Sequence, residues 1–265
     1  MSKLAIIPVR LSSVRLPNKP LADINGKTMI ERVWRQTKAA LSFDKVIVAT
    51  EDKLIAKAVE TFGGEVVMTS NSPRTGSDRV AEALLKIDPK NEYKIVANVQ
   101  GDMPFINPLV IDGTVEALVN SEESFGMSTV ATSIISKSEY AKNSCVKVVT
   151  DFEGRALYFS RSPIPHIRDQ NEFSDDHFGL RHLGLYVFRR EILLKIPHFP
   201  SAPIEEREKL EQLRALYFGV KIKVHIAESS LLKNQIEVDT QEDLDKAIEI
   251  AKALRRNNMF KLRSD

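Results

Sequence analysis

Four short apolar runs, LAIIPV (4–9), KVIVAT (45–50), EVVMTS (65–70) and YKIVANVQ (93–100), alternate with segments of helical periodicity along the first 100 residues. The runs are rich in Val and Ile and apolar on both faces, as strands covered on two sides require. Between them, KTMIERVWRQTKAAL sets Ile30, Val33, Trp34, Thr37 and Leu41 at helical spacing, and DKLIAKAVETF does the same with Leu54, Ile55, Ala58, Val59 and Phe62. The glycine pair at 63–64 stops the second helix, and SDRVAEALLKI, capped by Ser77 or Asp78, makes a third. This βαβα order predicts an α/β chain with a mostly parallel central sheet flanked by helices.

The second half is less regular. CVKVVTD (145–151), ALYFSRS (156–162) and HLGLYVFRR (182–190) follow one another with little helix between, which predicts a more antiparallel insertion over roughly 143–200. IEEREKLEQLRALYFG (204–219) reads as one amphipathic helix with Leu210, Leu213 and Leu216 or Tyr217 on one side. KIKVHIAE is a further strand. TQEDLDKAIEIAKALRRN is a capped helix with acids early and bases late, as the helix dipole favours. With no linker, repeat or low-complexity stretch, residues 1–265 are read as a single domain.

Charge and cysteine usage narrow the partners. A net charge of +2 offers no bulk field for nucleic acid or membrane, so neither is an expected partner, and a basic cluster must be local. The single cysteine, Cys145, excludes an intramolecular disulfide, fits a reducing compartment and is most simply a buried strand residue. The opening run MSKLAIIPVRL breaks at Pro8 and Arg10, short of the ~7–15 apolar residues of a signal peptide. No stretch approaches the ~18 apolar residues of a membrane span. The expected address is the cytoplasm.

Ligands of an open parallel sheet bind beyond the carboxyl ends of its strands. The loop after the first strand carries Arg10, Arg15 and Lys19, and the third such loop carries Arg74 and Arg79 with Thr75, Gly76 and Ser77. The fourth, QGDMP, offers Gln100 and Asp102. Two basic loops and an acidic one on the same edge suit a polyphosphate with a divalent cation. For the three cations at 10–19, phosphate binding and a solvated surface stand level on spacing alone. Gly101-Asp102 is equally a turn closed by an Asx bond. NGKT (25–28) is no P-loop, because Leu21 stands where its first glycine belongs, and no G-x-G-x-x-G follows the first strand. The five histidines show no zinc spacing. Arg161 follows a strand and His182 begins one, where a lone histidine is by default structural. Glu211 and Gln212 sit on the amphipathic segment, by default on a solvated face. Asp239 precedes a helix, and the Thr240/Asp243 capping pair competes with a metal role for it.

The ordered series IIPVRLSSVRLPNKPL, VIVATED, GGEVVMT, TGSDRVAE, NVQGDMP, VKVVTDFEGRALYFSRSPIP, RHLGLYVFRR, LEQLRALYFG and VDTQEDL resembles the 3-deoxy-manno-octulosonate (Kdo) cytidylyltransferases, over about residues 4–250. The resemblance implies a Rossmann-like nucleotidyltransferase fold and Mg²⁺-dependent transfer of CMP from CTP to an acidic octulosonate. It also implies a role in lipopolysaccharide synthesis and a homodimer. Carried over by position, it implies that Pro8, Arg10, Arg15, Lys19, Thr75, Gly76, Ser77 and Arg79 bind the nucleotide. Asp102 and Asp239 would hold the metal, with Lys19 beside them in the catalytic set. Gln100, Arg161, His182, Glu211 and Gln212 would line the sugar pocket. Four positions depart from the family's usual pattern. Asn18 and Glu237 stand for glycines, Met103 for an acid, and TGSDR for SGTER. Asn tolerates the left-handed backbone better than most residues. The 8-amino analogue of the sugar, and a nucleotide-binding protein that has lost its chemistry, are the alternative readings.

Overall fold

β1 (Ser2–Pro8) pairs in parallel with β2 (Lys45–Thr50) on one side and with β4 (Tyr93–Val99) on the other. The computed structural model describes residues 1–12, 15–168 and 178–261. β3 (Glu65–Met68) extends the parallel set beyond β2. On the other side β8 (Gly179–Arg189) runs antiparallel to both β4 and β5 (Phe125–Ile134), and β9 (Lys221–Ile226) closes the order β3-β2-β1-β4-β8-β5-β9. β6 (Lys147–Thr150) and β7 (Ala156–Ser160) form an antiparallel pair, which joins the start of β8 through Lys147↔Arg181 and Val148↔Leu180. The sheet is therefore mixed, parallel in its first half. The stretch read as an insertion supplies this pair and β8, which runs between β4 and β5.

Both faces of the sheet are covered. Ala5 and Ile7 of β1 join one cluster with Ile30 and Val33 of α1 (Met29–Ala39), Ile55 and Val59 of α2 (Lys53–Thr61), and Val110 and Val115 of α4 (Pro108–Val119). Leu4 and Ile6 face the opposite way, onto Val80 and Leu84 of α3 (Gly76–Ile87). That face also packs Leu193 of α6 (Arg190–Lys195) and Leu213 of α8 (Gln212–Tyr217). The two-residue alternation along β1 makes this division. A third cluster ties Leu16 of the first loop, Phe105 after β4, and Val238 to Leu244 and Ala247 of α9 (Gln241–Lys261).

Several local expectations need correction. Leu41 lies beyond α1 and is 92% exposed, and Leu54 in the first turn of α2 is turned outward. α3 begins one residue before Ser77. Its cap is Thr75, whose hydroxyl accepts the Asp78 N–H while the Asp78 carboxylate accepts the Thr75 N–H. The amphipathic stretch 204–219 is two short helices, α7 (Pro203–Glu208) and α8, because Lys209 adopts a left-handed backbone at φ 54°. α4 and β5 have no counterpart in the sequence reading. Among the described residues, no helix is long and apolar enough to cross a membrane.

Candidate active site

The chain leaves β1 toward β2 and later returns to β4 on the opposite side, so the strand order switches between β1 and β4. A cleft of about 720 Å³ lies beyond the carboxyl ends of these two strands. Its wall is drawn from the loops after β1, β3 and β4, from Gly184 and Tyr186 of β8, from the 209–212 link and from Glu237 and Asp239. Gly101 lets the QGD turn close on β1, since a Cβ there would stand 2.2 Å from Val9 Cγ1.

At the base, Lys19 Nζ donates to Asp102 Oδ2 and to Asp239 Oδ1, each at 2.9 Å. Three local features assemble this trio. Asn18 takes the left-handed backbone (φ 55°) that turns the chain into Lys19. The Val238 N–H donates to the Asp102 carbonyl at 2.9 Å, holding the two carboxylate segments side by side. The buried cluster of Leu16, Phe105 and Val238 packs beneath them. Burial pulls the Lys19 pKa down, but the charges and hydrogen bonds of Asp102 and Asp239 outweigh it and leave the ammonium above its usual range. Burial likewise pushes the Asp239 carboxyl up, and Lys19 and Arg15 bring it below the usual range. Asp239 also accepts from Arg15 Nη2 at 2.9 Å. The Thr240/Asp243 capping pair forms as well, so it sits beside the Asp239 contacts rather than replacing them.

Two carboxylates converging on one cation make a donor set that fits a small hard divalent ion. Mg²⁺ characteristically takes one or two carboxylates and fills its octahedron with water and substrate phosphate. Among the described residues no group of three or more His, Cys, Asp or Glu side chains could hold a metal, and the carboxylates that converge here are two.

The basic side of the cleft carries Arg10, Arg74 and Arg79 together with Pro8, Thr75 and Gly76. Arg10 is exposed and has no hydrogen-bond or ion-pair partner among the described residues. Arg79 is buried. It pairs with Glu51 at 2.5 Å and donates to the Thr69 hydroxyl and the Ser70 carbonyl. Ser77 does not line the cleft. Its hydroxyl accepts from Asn98 Nδ2 at 3.2 Å and its N–H donates to Glu211 Oε2 at 3.3 Å. It therefore braces the wall from behind.

Gln100, Arg161, Glu211 and Gln212 also line the cleft, with the Gln100 amide close to Gly76. Glu211 is no solvated helix residue. Burial pushes its pKa up, and the N–H and hydroxyl of Ser77 and the Thr75 hydroxyl partly offset this. Gln212 is buried. Its Oε1 accepts from Tyr186 OH at 3.0 Å while Nε2 has no protein partner, an orphaned donor of the kind a polar ligand satisfies. His182 is placed behind the wall, with its Nε2 2.8 Å from the Thr129 hydroxyl and its ring against Tyr186 and Phe159. Burial drives its pKa down to about 3, so it is neutral at physiological pH.

Sequence reasoning missed two residues that shape the cleft. Tyr186, buried beneath Gln212, was indistinguishable from other strand aromatics. Glu237 was noticed only as a substitution, yet it faces the cleft one residue before Val238. It is open to the cleft but ringed by protein. That recess, with the nearby charges of Asp102 and Asp239, raises its pKa to about 7.

Comparison with known proteins decides the family. The family model described as "Cytidylyltransferase" matches residues 4–222. A protein of Syntrophotalea carbinolica named 3-deoxy-manno-octulosonate cytidylyltransferase is 46% identical over 249 residues, 92% of this chain and 96% of its own. The chain belongs to this cytidylyltransferase family. A relative of the same name from Geobacter metallireducens is 46% identical, again over 92% of this chain and 96% of its own. The solved structure of CMP:2-keto-3-deoxy-manno-octonic acid synthetase complexed with CTP superposes on this cytidylyltransferase with a TM-score of 0.86 and 34% identity, covering 96% of this chain and 99% of that one. The 4-diphosphocytidyl-2C-methyl-D-erythritol synthase of Anaerococcus prevotii shares the fold alone, at TM-score 0.62 and 17% identity.

Proposed function

We propose that this protein transfers CMP from CTP to the anomeric hydroxyl of 3-deoxy-manno-octulosonate and releases pyrophosphate. The observation that carries the reading is the trio of Lys19, Asp102 and Asp239 in a cleft that Arg10, Arg74, Arg161, Gln100 and Gln212 also line. The names of relatives at this identity, and a CTP complex at this structural similarity, support the same reaction.

In this reaction the sugar hydroxyl attacks the α-phosphorus, the bond to the β-phosphate oxygen breaks, and the hydroxyl proton leaves. Arg10 and Lys19 supply positive charge to the triphosphate oxygens, which is where negative charge grows as pyrophosphate departs, while Arg79, paired with Glu51, holds the loop beside them. Asp102 and Asp239 would hold Mg²⁺, which on binding lowers the pKa of a coordinated hydroxyl and neutralises phosphate charge. Arg161 offers a fork for the sugar's carboxylate, and Gln100 and Gln212 offer amides for its hydroxyls. The half-buried Glu211, which accepts the Ser77 N–H, stands in the wall of the same cleft.

A supply of activated sugar to lipopolysaccharide synthesis and a homodimer follow from the resemblance. A cytoplasmic address follows from one free, buried cysteine in a chain suited to a reducing compartment. The 8-amino sugar and the inactive-protein readings are not favoured. The relatives are named for Kdo, and the two carboxylates proposed for the metal, Asp102 and Asp239, meet at Lys19.

The test is pyrophosphate release from CTP with Mg²⁺ and, in turn, Kdo, its 8-amino analogue, a sialic acid and glucose 1-phosphate. Kdo is expected to be used fastest. Release led by glucose 1-phosphate would overturn the acidic-sugar assignment, and no release with any acceptor would overturn the enzymatic one.

A further inference from the structure

Lys147 is the largest fully buried side chain of the described residues, at 0% exposure, and it lies outside the cleft. A buried ammonium normally faces a carboxylate. Here its Nζ donates instead to three backbone carbonyls, those of Lys142 at 3.0 Å, Cys145 at 2.6 Å and Arg161 at 2.5 Å. Three donors meet three acceptors, so the ammonium is fully satisfied without an ion pair. Such an arrangement joins two backbone segments at one point: the 142–145 loop before β6 and the end of β7 at Arg161.

Both segments act on the same guanidinium. Arg161 Nη1 donates to the Asn143 carbonyl at 3.2 Å, within the loop that Lys147 holds through Lys142 and Cys145. Arg161 Nε donates to the Glu208 carbonyl at 2.8 Å, and the Arg161 N–H donates to Glu208 Oε2 at 2.9 Å. Glu208 Oε1 also takes the Ser160 hydroxyl, at 2.6 Å. The Arg161 backbone is thus fixed at its N–H by Glu208 and at its C=O by Lys147, and the side chain is fixed at Nε and Nη1. Nη2 remains without a partner among the described residues, and Arg161 lines the cleft. A long, otherwise floppy side chain is pre-set with one edge of its fork free, which removes the rotamer entropy that binding would otherwise cost.

We propose that Lys147 is a positioning residue for the acceptor's carboxylate, acting through Arg161 and the Asn143 carbonyl. This rests on the reading that Arg161 receives that carboxylate. The full-length enzyme is compared as wild type, Lys147→Met, Arg161→Ala and the double variant, with KM for Kdo, KM for CTP and kcat measured for each. The expected result is a rise of about tenfold or more in KM for Kdo in Lys147→Met with KM for CTP within about twofold, and little further rise when Lys147→Met is added to Arg161→Ala. If Arg161→Ala leaves KM for Kdo unchanged, the carboxylate reading fails. If Arg161→Ala raises it and Lys147→Met does not, the positioning role fails. Equal losses for both substrates, or full additivity in the double variant, would make Lys147 a stabilising residue only. Should Lys147→Met not fold, Lys147→Gln, which keeps two donors for the carbonyls, carries the same readouts. Failure of both to fold assigns the residue to stability alone and overturns the proposal.

Discussion

Replacing Lys19 by Met should change the affinity for a divalent cation and for CTP in opposite directions. In the free protein the Lys19 ammonium occupies the two carboxylates at 2.9 Å each, so an incoming cation must displace it. Its pKa is raised, so the ammonium stays charged throughout the physiological range and deprotonation gives no relief. A charge-assisted hydrogen bond is worth about 1.5–3 kcal/mol. The Asp102 and Asp239 side chains are 28% and 38% exposed, and solvent screening discounts such pairs toward about 1 kcal/mol each. Removing both contacts therefore takes about 2 kcal/mol of competition away from the cation, about a thirtyfold gain in affinity. CTP loses a positive partner and should bind about tenfold more weakly or worse.

The measurement is calorimetric titration of wild type and Lys19→Met with Mn²⁺ alone, and then with CTP. Mn²⁺ is chosen because it takes the same oxygen ligands and can be followed independently by its electron spin resonance signal. Tighter Mn²⁺ with weaker CTP is the expected pattern. Mn²⁺ affinity that is unchanged or lower in Lys19→Met would refute the reasoning, since the ammonium would then not be competing for a cation site.

Asp102→Asn and Asp239→Asn should each lower kcat by about a hundredfold or more with unfolding midpoints near wild type, because they act on charge that develops in the transition state. Near-normal turnover of Asp239→Asn at saturating Mg²⁺ would reduce that residue to a helix flank. Arg10→Ala should weaken CTP by about tenfold while leaving CMP nearly unchanged, because its unpartnered guanidinium is proposed to meet the phosphates that CMP lacks. Equal losses in calorimetry would move it elsewhere. Asp88→Asn should cost about 3 kcal/mol in urea unfolding at pH 7, because it strips the buried Arg190 of its carboxylate. Burial raises the Asp88 pKa, but the Glu92 and Tyr93 N–H groups and Arg190 outweigh it and hold the carboxyl below its usual range. The stabilisation is therefore complete above the unfolded value of about 3.9 and is lost as pH falls through the lower folded value. A wild-type advantage that persists unchanged at pH 3 would contradict this.

The parallel half of the fold was readable because each strand and helix there advertises a simple period. β1 buries Leu4 and Ile6 on one face and Ala5 and Ile7 on the other, and its run is accordingly apolar throughout. α4 gave no such signal, because Gly113 interrupts a helix that is apolar on most of its surface. The glycine is demanded by a neighbour, since a Cβ would stand 2.5 Å from His225 Nε2. The stretch around Lys209 misled for a related reason. Leu210 and Leu213 keep a helical spacing and are both buried, while the break between α7 and α8 is made by one left-handed residue that propensity does not forecast. That break has a consequence for the site, since Lys209, Leu210, Glu211 and Gln212 all line the cleft.

The site itself was legible in proportion to how local its chemistry is. Loop cations and the QGD turn can be named from sequence because they follow strands, and strand ends are where a parallel sheet places its ligands. Asp239 is different. Nothing within its own segment distinguishes it from a helix-flanking acid, and the competing Thr240/Asp243 pair does form. What draws it to Asp102 is the packing of Leu16, Phe105 and Val238 with the Val238 N–H on the Asp102 carbonyl, contacts between segments far apart in the chain. Resemblance supplied Asp239 where periodicity could not, and placed His182 in the pocket where the structure puts it behind. A buried histidine with a pKa of about 3 and a threonine partner is a packing residue supporting Tyr186, and through the Tyr186 hydroxyl it steadies the amide of Gln212, a residue that lines the cleft. Its influence on a sugar would then pass through two other side chains, so substitution of His182 should perturb that pocket by loosening the wall rather than by removing a direct contact.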